Sequence, residues 1–154
     1  MSPPLVLVVN GPNLDKLGTR QPEIYGSTTL AEIEKGLTER GVELGLAVEC
    51  FQSNDEEDLI AAVRDAPGRG AAAIMINPAA LSHFSYPLRE ALAATGLPVV
   101  EVHISNIHAR EPFRRLSLVS GVAKGVIAGL GVNGYTLALE AIAGMVGVPQ
   151  KGAE

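Results

Sequence analysis

Short apolar runs alternate with helical patterns along the whole chain. Five runs rich in Val, Ile, Leu and Ala have the length of a strand, and the segments between them repeat apolar residues at helical spacing. A run that is apolar at successive positions is typical of a strand covered on both faces. We therefore predict an α/β fold with a parallel sheet between two helical layers. The predicted strands are 5–10, 46–52, 71–77, 98–103 and 124–130.

Helix-start signals lie before the helical patterns, because a Ser, Thr or Asn side chain can accept a hydrogen bond from the first turn. The candidate caps are Thr28 or Thr29, Ser53 or Asn54, and Ser85, with one helical turn at 113–116 and a last helix over 132–146. Residues 11–27 are rich in Gly, Pro and Asn, which is typical of a lid or a binding loop. Five strand–helix units without an internal repeat predict a single domain over 1–154, with a flavodoxin-like, doubly wound sheet of five parallel strands.

The composition narrows the class of protein and of partner. A chain of 154 residues, 47% of them hydrophobic, can bury the core of one domain. Its net charge of −5 argues against nucleic acid as the main partner, although it does not exclude an anionic ligand. Cys50 is the single cysteine, so a reducing compartment is favoured. With no basic N-terminal region and no apolar stretch long enough for a bilayer, we predict a soluble, cytoplasmic protein without a membrane partner.

Polar residues cluster where the predicted strands end. Ligands of doubly wound sheets bind beyond the carboxyl ends of the strands, near the point where strand order reverses. The residues expected on this edge are Asn10, Asn13, Gln52, Asn54, Asn77, His83, Glu101, His103, Ser105 and Arg110. Amides, imidazoles and a carboxylate in one place predict a site for a small polar ligand with acid–base capacity.

Glu101 and His103 form the most informative pair. Strand alternation places both side chains on one face, within reach of each other. A carboxylate beside an imidazole fixes its tautomer and stabilises the imidazolium, which suits a general acid. A structural ion pair at a strand end is the alternative interpretation.

Arg20 and Tyr25 lie in the predicted loop. A phenol ordinarily has a pKa of about 10, so it is a poor base at neutral pH unless a nearby cation stabilises the phenolate. One hypothesis is that Arg20 lowers the pKa of Tyr25; the other is an ordinary solvated loop. Similar alternatives apply to His83, which could simply lead a helix. Arg110, Arg114 and Arg115 could be surface cations or could hold a polyol or a carboxylate.

Spacing argues against two kinds of cofactor site. Residues 129–134 match GxGxxG after a predicted strand, yet they fall in the last unit, where almost no chain remains to complete a dinucleotide site. We interpret these glycines as turn and packing residues. His103 and His108 lack further paired ligands of the kind that zinc requires, and Cys50 stands alone. No metal and no cofactor is therefore predicted.

At these polar residues the chain resembles the type II dehydroquinases, from about residue 5 to residue 146. The motifs that carry the resemblance are Asn10-Gly-Pro-Asn13, Leu17-Gly18-Thr-Arg20, Pro22-Glu-Ile-Tyr25-Gly26, Phe51-Gln-Ser-Asn54, Asn77-Pro-Ala-Ala-Leu-Ser-His83, Glu101-Val-His103-Ile-Ser-Asn-Ile-His108-Ala-Arg110, Gly129-Leu-Gly131 and Gly134-Tyr135. The chain departs from the usual residues of that family at Asp15, Lys16, Phe84, Pro112 and Leu116.

The resemblance implies an enzyme that removes water from 3-dehydroquinate to give 3-dehydroshikimate by anti elimination, without metal or cofactor. It implies that Tyr25, aided by Arg20, is the base that forms an enolate, that Asn13 holds a water against the enolate, and that His103, oriented by Glu101, is the acid. The substrate-binding residues implied are Asn77, Ile104 and Ser105 for the carboxylate, and His83 and Arg114 for the ring hydroxyls, with Glu90 reaching in from a neighbouring subunit. The implied assembly is a homododecamer, a tetramer of trimers.

Two hypotheses of other classes remain. A flavodoxin-like module could hold FMN or act as a phosphorylated receiver. FMN favours a loop rich in Ser, Thr and Gly after the first strand, and a receiver needs clustered acids, whereas this strand ends in Asn10-Gly11-Pro12-Asn13. The other hypothesis is a catalytically weak homologue kept for assembly or regulation.

Overall fold

The sheet has the predicted architecture. The structure, a computed structural model, describes residues 2–19 and 21–147. Five parallel strands pair in the order β2-β1-β3-β4-β5, so strand order reverses at β1. The strands are β1 (Leu5–Asn10), β2 (Ala47–Gln52), β3 (Ala71–Asn77), β4 (Val99–His103) and β5 (Gly125–Ala128). The predicted flavodoxin-like fold is confirmed, and β5 is shorter at both ends than expected.

Helices cover both faces of the sheet. They are α1 (Pro22–Tyr25), α2 (Leu30–Leu44), α3 (Glu56–Asp65), α4 (Tyr86–Ala94) and α5 (Asn133–Met145). The apolar residues of α2 and α5 pack against one face, and those of α3 and α4 against the other. β1, β3 and β4 are buried on both sides, and β1 and β3 are accordingly apolar up to their terminal Asn residues. Within the described ranges, no helix is both long and apolar enough to cross a membrane.

The cap of α3 differs from the prediction. Asp55, rather than Ser53 or Asn54, is the N-cap, and its side chain accepts a hydrogen bond from the backbone N–H of Glu57. The two predicted residues are engaged elsewhere: the Ser53 hydroxyl accepts a hydrogen bond from the Asp55 N–H, and the side-chain Oδ1 of Asn54 accepts one from the N–H of Asn13. Asn54 therefore binds the loop after β1, and α3 begins one residue later than a cap at Asn54 would place it.

The loop at 11–27 is less irregular than predicted. It contains a 3₁₀ turn at Leu14–Lys16 and the single-turn helix α1. The segment after β4 also folds into short 3₁₀ turns, at Ile107–Ala109, Pro112–Arg115 and Ser120–Val122. The turn at Pro112–Arg115 lies one residue before the helical turn predicted at 113–116, and the other turns fix side chains that the sequence pattern assigned to loops.

We expect Thr29→Ala to lower the free energy of unfolding by about 1 kcal/mol. Thr29 and Glu32 form a reciprocal capping box at the start of α2, and alanine removes the acceptor for the Glu32 N–H. Urea unfolding measures the change, and Thr29→Ser, which keeps the hydroxyl, is the matched control. Equal losses in the two variants would contradict the capping role.

Candidate active site

A cavity of about 350 Å³ opens at the carboxyl ends of β1, β3 and β4. This volume suits a small ligand, and the position is the one where doubly wound sheets bind their ligands. Its walls include Asn13, Tyr25, Asn77, His83, His103 and Arg114. The structure therefore brings together polar residues from three strand ends and two loops.

Glu101 and His103 form a buried pair at the end of β4. Glu101 is fully buried, and one carboxylate oxygen accepts hydrogen bonds from His103 Nε2 and from the Ser117 hydroxyl at 2.6 Å. The other oxygen accepts from the Ser120 hydroxyl at 2.5 Å. Burial acts to raise the pKa of Glu101, but the hydrogen bonds from His103, Ser117 and Ser120 together outweigh it and hold the pKa below its ordinary value.

The pair fixes the tautomer of His103. A carboxylate can only accept, so Nε2 carries the hydrogen that points to Glu101. Nδ1 is then the ring nitrogen that exchanges a proton, since it makes no hydrogen bond within the described part of the chain. A neutral ring can take a proton there, and the buried negative charge of Glu101 stabilises the resulting imidazolium. The geometry suits proton transfer to or from a ligand in the cavity.

Tyr25 is held by Arg110. The guanidinium Nη1 donates to the Tyr25 hydroxyl at 2.8 Å and to the Ser105 hydroxyl at 3.2 Å, and its central carbon lies 5.5 Å from the centre of the Tyr25 ring. The phenol oxygen thus accepts a hydrogen bond from a permanent cation, which stabilises negative charge on that oxygen. Arg20, the predicted partner of Tyr25, lies outside the described residues.

His83 is fixed from behind by the backbone. Its Nδ1 donates to the carbonyl oxygen of Leu116 at 2.7 Å, because a carbonyl can only accept. The ring also packs edge-on against Phe113, with centroids 5.8 Å apart. A neutral His83 therefore keeps Nε2 as a hydrogen-bond acceptor, the atom that a ligand hydroxyl would meet.

Asn13 adopts a left-handed backbone conformation with φ of 70°, which Asn tolerates better than most residues. Its N–H donates at 2.9 Å to the side-chain carbonyl of Asn54, which also accepts from Gln52 at 3.0 Å. Gly11 passes so close to Pro78 that a Cβ would lie 2.6 Å from the proline carbonyl oxygen. The ends of β1, β2 and β3 together set the start of the loop.

The glycines after β5 are turn and packing residues, in agreement with our interpretation of the GxGxxG match. Gly129 and Gly131 have φ of 87° and 65°, and their N–H groups donate to the carbonyls of His103 and Ile104 at 3.3 and 3.1 Å. A Cβ on Gly129 would lie 2.9 Å from that of Asn106. These N–H groups position the loop after β4 and are therefore not free to bind a phosphate.

Known proteins share this arrangement of sequence and fold. The family model described as "Dehydroquinase class II" matches residues 4–143. The chain belongs to the class II dehydroquinases. This membership confirms the resemblance seen in the motifs and removes support from the flavin-binding and receiver hypotheses.

Individual relatives match over nearly their whole length. A protein of Corynebacterium efficiens named "3-dehydroquinate dehydratase 2" is 58% identical over 140 residues, 90% of this chain and 96% of the relative. A 3-dehydroquinate dehydratase of Herminiimonas arsenicoxydans is 53% identical over 134 residues, 87% of this chain and 92% of the relative. The crystal structure of a type II dehydroquinase from Propionibacterium acnes has a TM-score of 0.89 and 46% identity, covering 93% of this chain and 98% of the other.

Most site residues predicted from the dehydroquinase resemblance lie on the cavity or directly behind it. Ile104, Ser105 and Arg114 line it with the residues described above, and Glu101 lies behind His103. Glu90 does not: it is exposed on α4 and pairs with Arg89 at 2.5 Å. A role for Glu90 requires a neighbouring subunit and stays a prediction.

Four residues contact the predicted catalytic or binding groups, and the sequence did not predict these contacts. Arg110 was interpreted as a surface cation or as a residue that holds a polyol or a carboxylate, whereas it donates a hydrogen bond to Tyr25. Ser117 and Ser120 both donate to Glu101, and Tyr135 bonds to Asn77. The sequence signals for Arg110 were its place on the polar edge of the sheet and in a family motif, and the signal for Tyr135 was its place in a family motif. The serines gave none, because their turns form only after the chain has folded.

The departures from the usual dehydroquinase residues have different consequences. Lys16 lines the cavity and adds a cation to its mouth, while the neighbouring Asp15 is exposed. Phe84 has an exposed side chain that does not line the cavity, and Leu116 serves His83 through its backbone carbonyl. Pro112 begins a 3₁₀ turn, where its fixed φ is compatible with the helical backbone.

We expect Glu101→Gln to make the thermal midpoint less sensitive to acid. The lowered pKa of Glu101 means that its contribution to stability is fully present above its ordinary pKa of 4.5 and is lost as pH falls below it. The variant is less stable than wild type at neutral pH, because the buried charge no longer attracts three donors, yet its midpoint falls less between about pH 5 and about pH 3. Parallel curves would contradict the assignment, and Glu39→Gln, at an exposed position of α2, is the control.

Proposed function

We propose that this dehydroquinase family member catalyses the dehydration of 3-dehydroquinate to 3-dehydroshikimate. The observation that carries the proposal is a single cavity lined by a phenol held by a guanidinium and by an imidazole backed by a buried carboxylate. These two groups supply the base and the acid that an elimination of water requires. The names of the relatives give the substrate. The reaction is a hydro-lyase step, the third of the shikimate pathway, and its proposed setting is the cytoplasm.

The first step is proton removal by Tyr25. As a phenolate it takes a proton from C2, next to the substrate ketone, and the electron pair moves to the ketone oxygen to give an enolate. Arg110 supports this role because its positive charge lies against the phenol oxygen. Arg20, which lies in the same loop as Tyr25, is proposed as a second cation that makes the phenolate accessible. Asn13, whose backbone is fixed by Asn54, holds the water that stabilises the enolate oxygen.

The second step is departure of the C1 hydroxyl. The enolate returns its electron pair to form the C1–C2 double bond, the C1–O bond breaks, and His103 Nδ1 gives its proton to the leaving oxygen, which departs as water. The hydrogen bond from His103 Nε2 to Glu101 supports this assignment, because it orients the ring and stabilises the protonated form before transfer. Base and acid act on opposite faces, so the elimination is anti.

The substrate is proposed to lie between two sets of polar groups. Asn77 and the backbone N–H groups of Ile104 and Ser105 bind its carboxylate. His83, through its free Nε2, and Arg114 bind the ring hydroxyls. All five line the cavity, which is the support for these assignments.

A homododecamer, a tetramer of trimers, is the proposed assembly, and in it Glu90 reaches the site of a neighbouring subunit. Its exposure on α4 leaves it available for such a contact. The aromatic side chains of Phe84 and Tyr86, 61% and 65% exposed at the start of the same helix, are surfaces that an interface would bury. Size-exclusion chromatography with light scattering tests the assembly, and a monomer would contradict it.

The reaction is tested by ultraviolet absorbance, because the product contains an enone and the substrate does not. EDTA-treated protein mixed with 3-dehydroquinate is expected to give a rising enone signal. Pretreatment with borohydride in the presence of substrate is expected to leave the rate unchanged, since no Schiff base forms. No signal from folded, assembled protein would contradict the proposed function.

A further inference from the structure

A buried hydrogen-bonded chain lies behind the cavity and links α5 to the ends of β1 and β3. Asn77 Nδ2 donates to the hydroxyl oxygen of Tyr135 at 2.9 Å, and that hydroxyl donates to Asn10 Oδ1 at 2.7 Å. Tyr135 is 1% exposed and Asn10 is fully buried. Burial raises the pKa of Tyr135, so it stays a neutral phenol with one hydrogen to donate. The mechanism proposed above makes no use of Tyr135 or Asn10.

The chain has one consistent direction. Asn77 Oδ1 accepts the backbone N–H of Ala79 at 3.2 Å, which places the amide oxygen on that side and the amide nitrogen toward Tyr135. Because one Nδ2 hydrogen occupies the phenol oxygen, the phenol hydrogen turns to Asn10. Asn77 has a second Nδ2 hydrogen, and the residue lines the cavity. Two bonds on one amide thus decide which way its remaining donor points.

We propose that Tyr135 is a positioning residue, which holds the Asn77 amide so that its free N–H faces the cavity and binds the substrate carboxylate. This inference rests on the proposed function. Without the phenol oxygen, the Asn77 amide keeps only the contact with Ala79 and can rotate away. The carboxylate is bound in the ground state and in the transition state alike, so poorer positioning raises KM and leaves kcat nearly unchanged.

The test is a double-mutant cycle of Tyr135→Phe and Asn77→Ala in the full chain. Tyr135→Phe is expected to raise KM about tenfold, the factor that corresponds to about 1.4 kcal/mol, with kcat within about twofold of wild type. In the Asn77→Ala background the same change is expected to alter KM by less than about twofold, because Tyr135 acts through Asn77. Thr38→Val, which removes a hydroxyl at an exposed position of α2, is the control and should leave KM unchanged.

The cycle separates positioning from support of the fold. Phenylalanine leaves Asn10 Oδ1 and Asn77 Nδ2 without a partner, so the thermal midpoint falls in either case. If Tyr135 only stabilises the fold, Tyr135→Phe changes KM by the same factor in the wild-type and Asn77→Ala backgrounds, or leaves KM unchanged in both. Either result overturns the proposal. If Tyr135→Phe does not yield folded protein, Asn10→Ala, which removes the acceptor of the phenol hydrogen, takes its place and must show the same non-additive KM.

A crystal structure of Tyr135→Phe tests the inference independently of turnover. The Asn77 side chain is expected to leave its wild-type rotamer or to occupy two conformers, and an unchanged Asn77 overturns the proposal. Wild-type turnover is measured in the same series. Its absence would contradict the proposed function, whereas normal wild-type turnover with an unchanged KM in Tyr135→Phe would contradict only the role of Tyr135.

Discussion

Tyr25→Phe is expected to fold normally and to lose nearly all turnover, with kcat lower by about 10²- to 10⁴-fold. Phenylalanine keeps the ring that packs near Arg110 but removes the oxygen that takes the C2 proton and accepts the guanidinium hydrogen bond. Tyr25 is half-buried in a single-turn helix, so its hydroxyl contributes little to stability. The loss should therefore appear in catalysis alone.

The measurement is the enone assay at saturating substrate, with circular dichroism and the thermal midpoint as evidence of folding. Thr38→Val also removes a hydroxyl, at an exposed position of α2, and should keep wild-type kcat. Wild-type turnover in Tyr25→Phe would show that another group is the base. Exchange of the C2 hydrogen with deuterated solvent should be lost together with turnover, because both need the same proton removal.

His103→Ala is expected to lower kcat by about 10²- to 10⁴-fold and to change KM much less. The imidazole gives its proton to the leaving hydroxyl only in the transition state, whereas the carboxylate and the ring hydroxyls of the substrate are bound by other residues. Ser117 and Ser120 still donate to Glu101 in this variant, so the fold should persist, although with a lower thermal midpoint. Tyr25 remains, so exchange of the C2 hydrogen should outlast turnover.

His108→Ala is the matched control, because His108 is exposed and does not line the cavity. An intact kcat in His103→Ala would refute the assignment of the acid. If His103→Ala loses exchange of the C2 hydrogen while its KM stays at the wild-type value, His103 takes part in the first step.

The sheet could be predicted closely because burial on both faces leaves a direct mark on sequence. The spans of β1 and β3 were predicted to the residue, since apolar runs there end at Asn10 and Asn77. β5 is shorter than predicted because Leu130, although apolar, is exposed in the turn after the strand. The cap of α3 was misplaced because Ser53, Asn54 and Asp55 are all good caps, and tertiary contacts decide which one is free to serve.

The site could be predicted where strand geometry places its residues. Glu101 and His103 share a face by alternation alone, and their contact is confirmed. Arg110 could not be assigned to Tyr25, because 85 residues separate them and the bond depends on the shapes of two loops. The same holds for Tyr135, which meets Asn77 across a helix–sheet contact that no local pattern encodes.

The placement of base and acid is tested most directly with 3-dehydroquinate deuterated at C2 on the face opposite the C1 hydroxyl. Tyr25 is expected to remove this deuterium while His103 acts from the other face, so that mass spectrometry finds 3-dehydroshikimate without label. A product that keeps the deuterium would show syn elimination and would contradict the assigned arrangement of base and acid. No product at all would contradict the function.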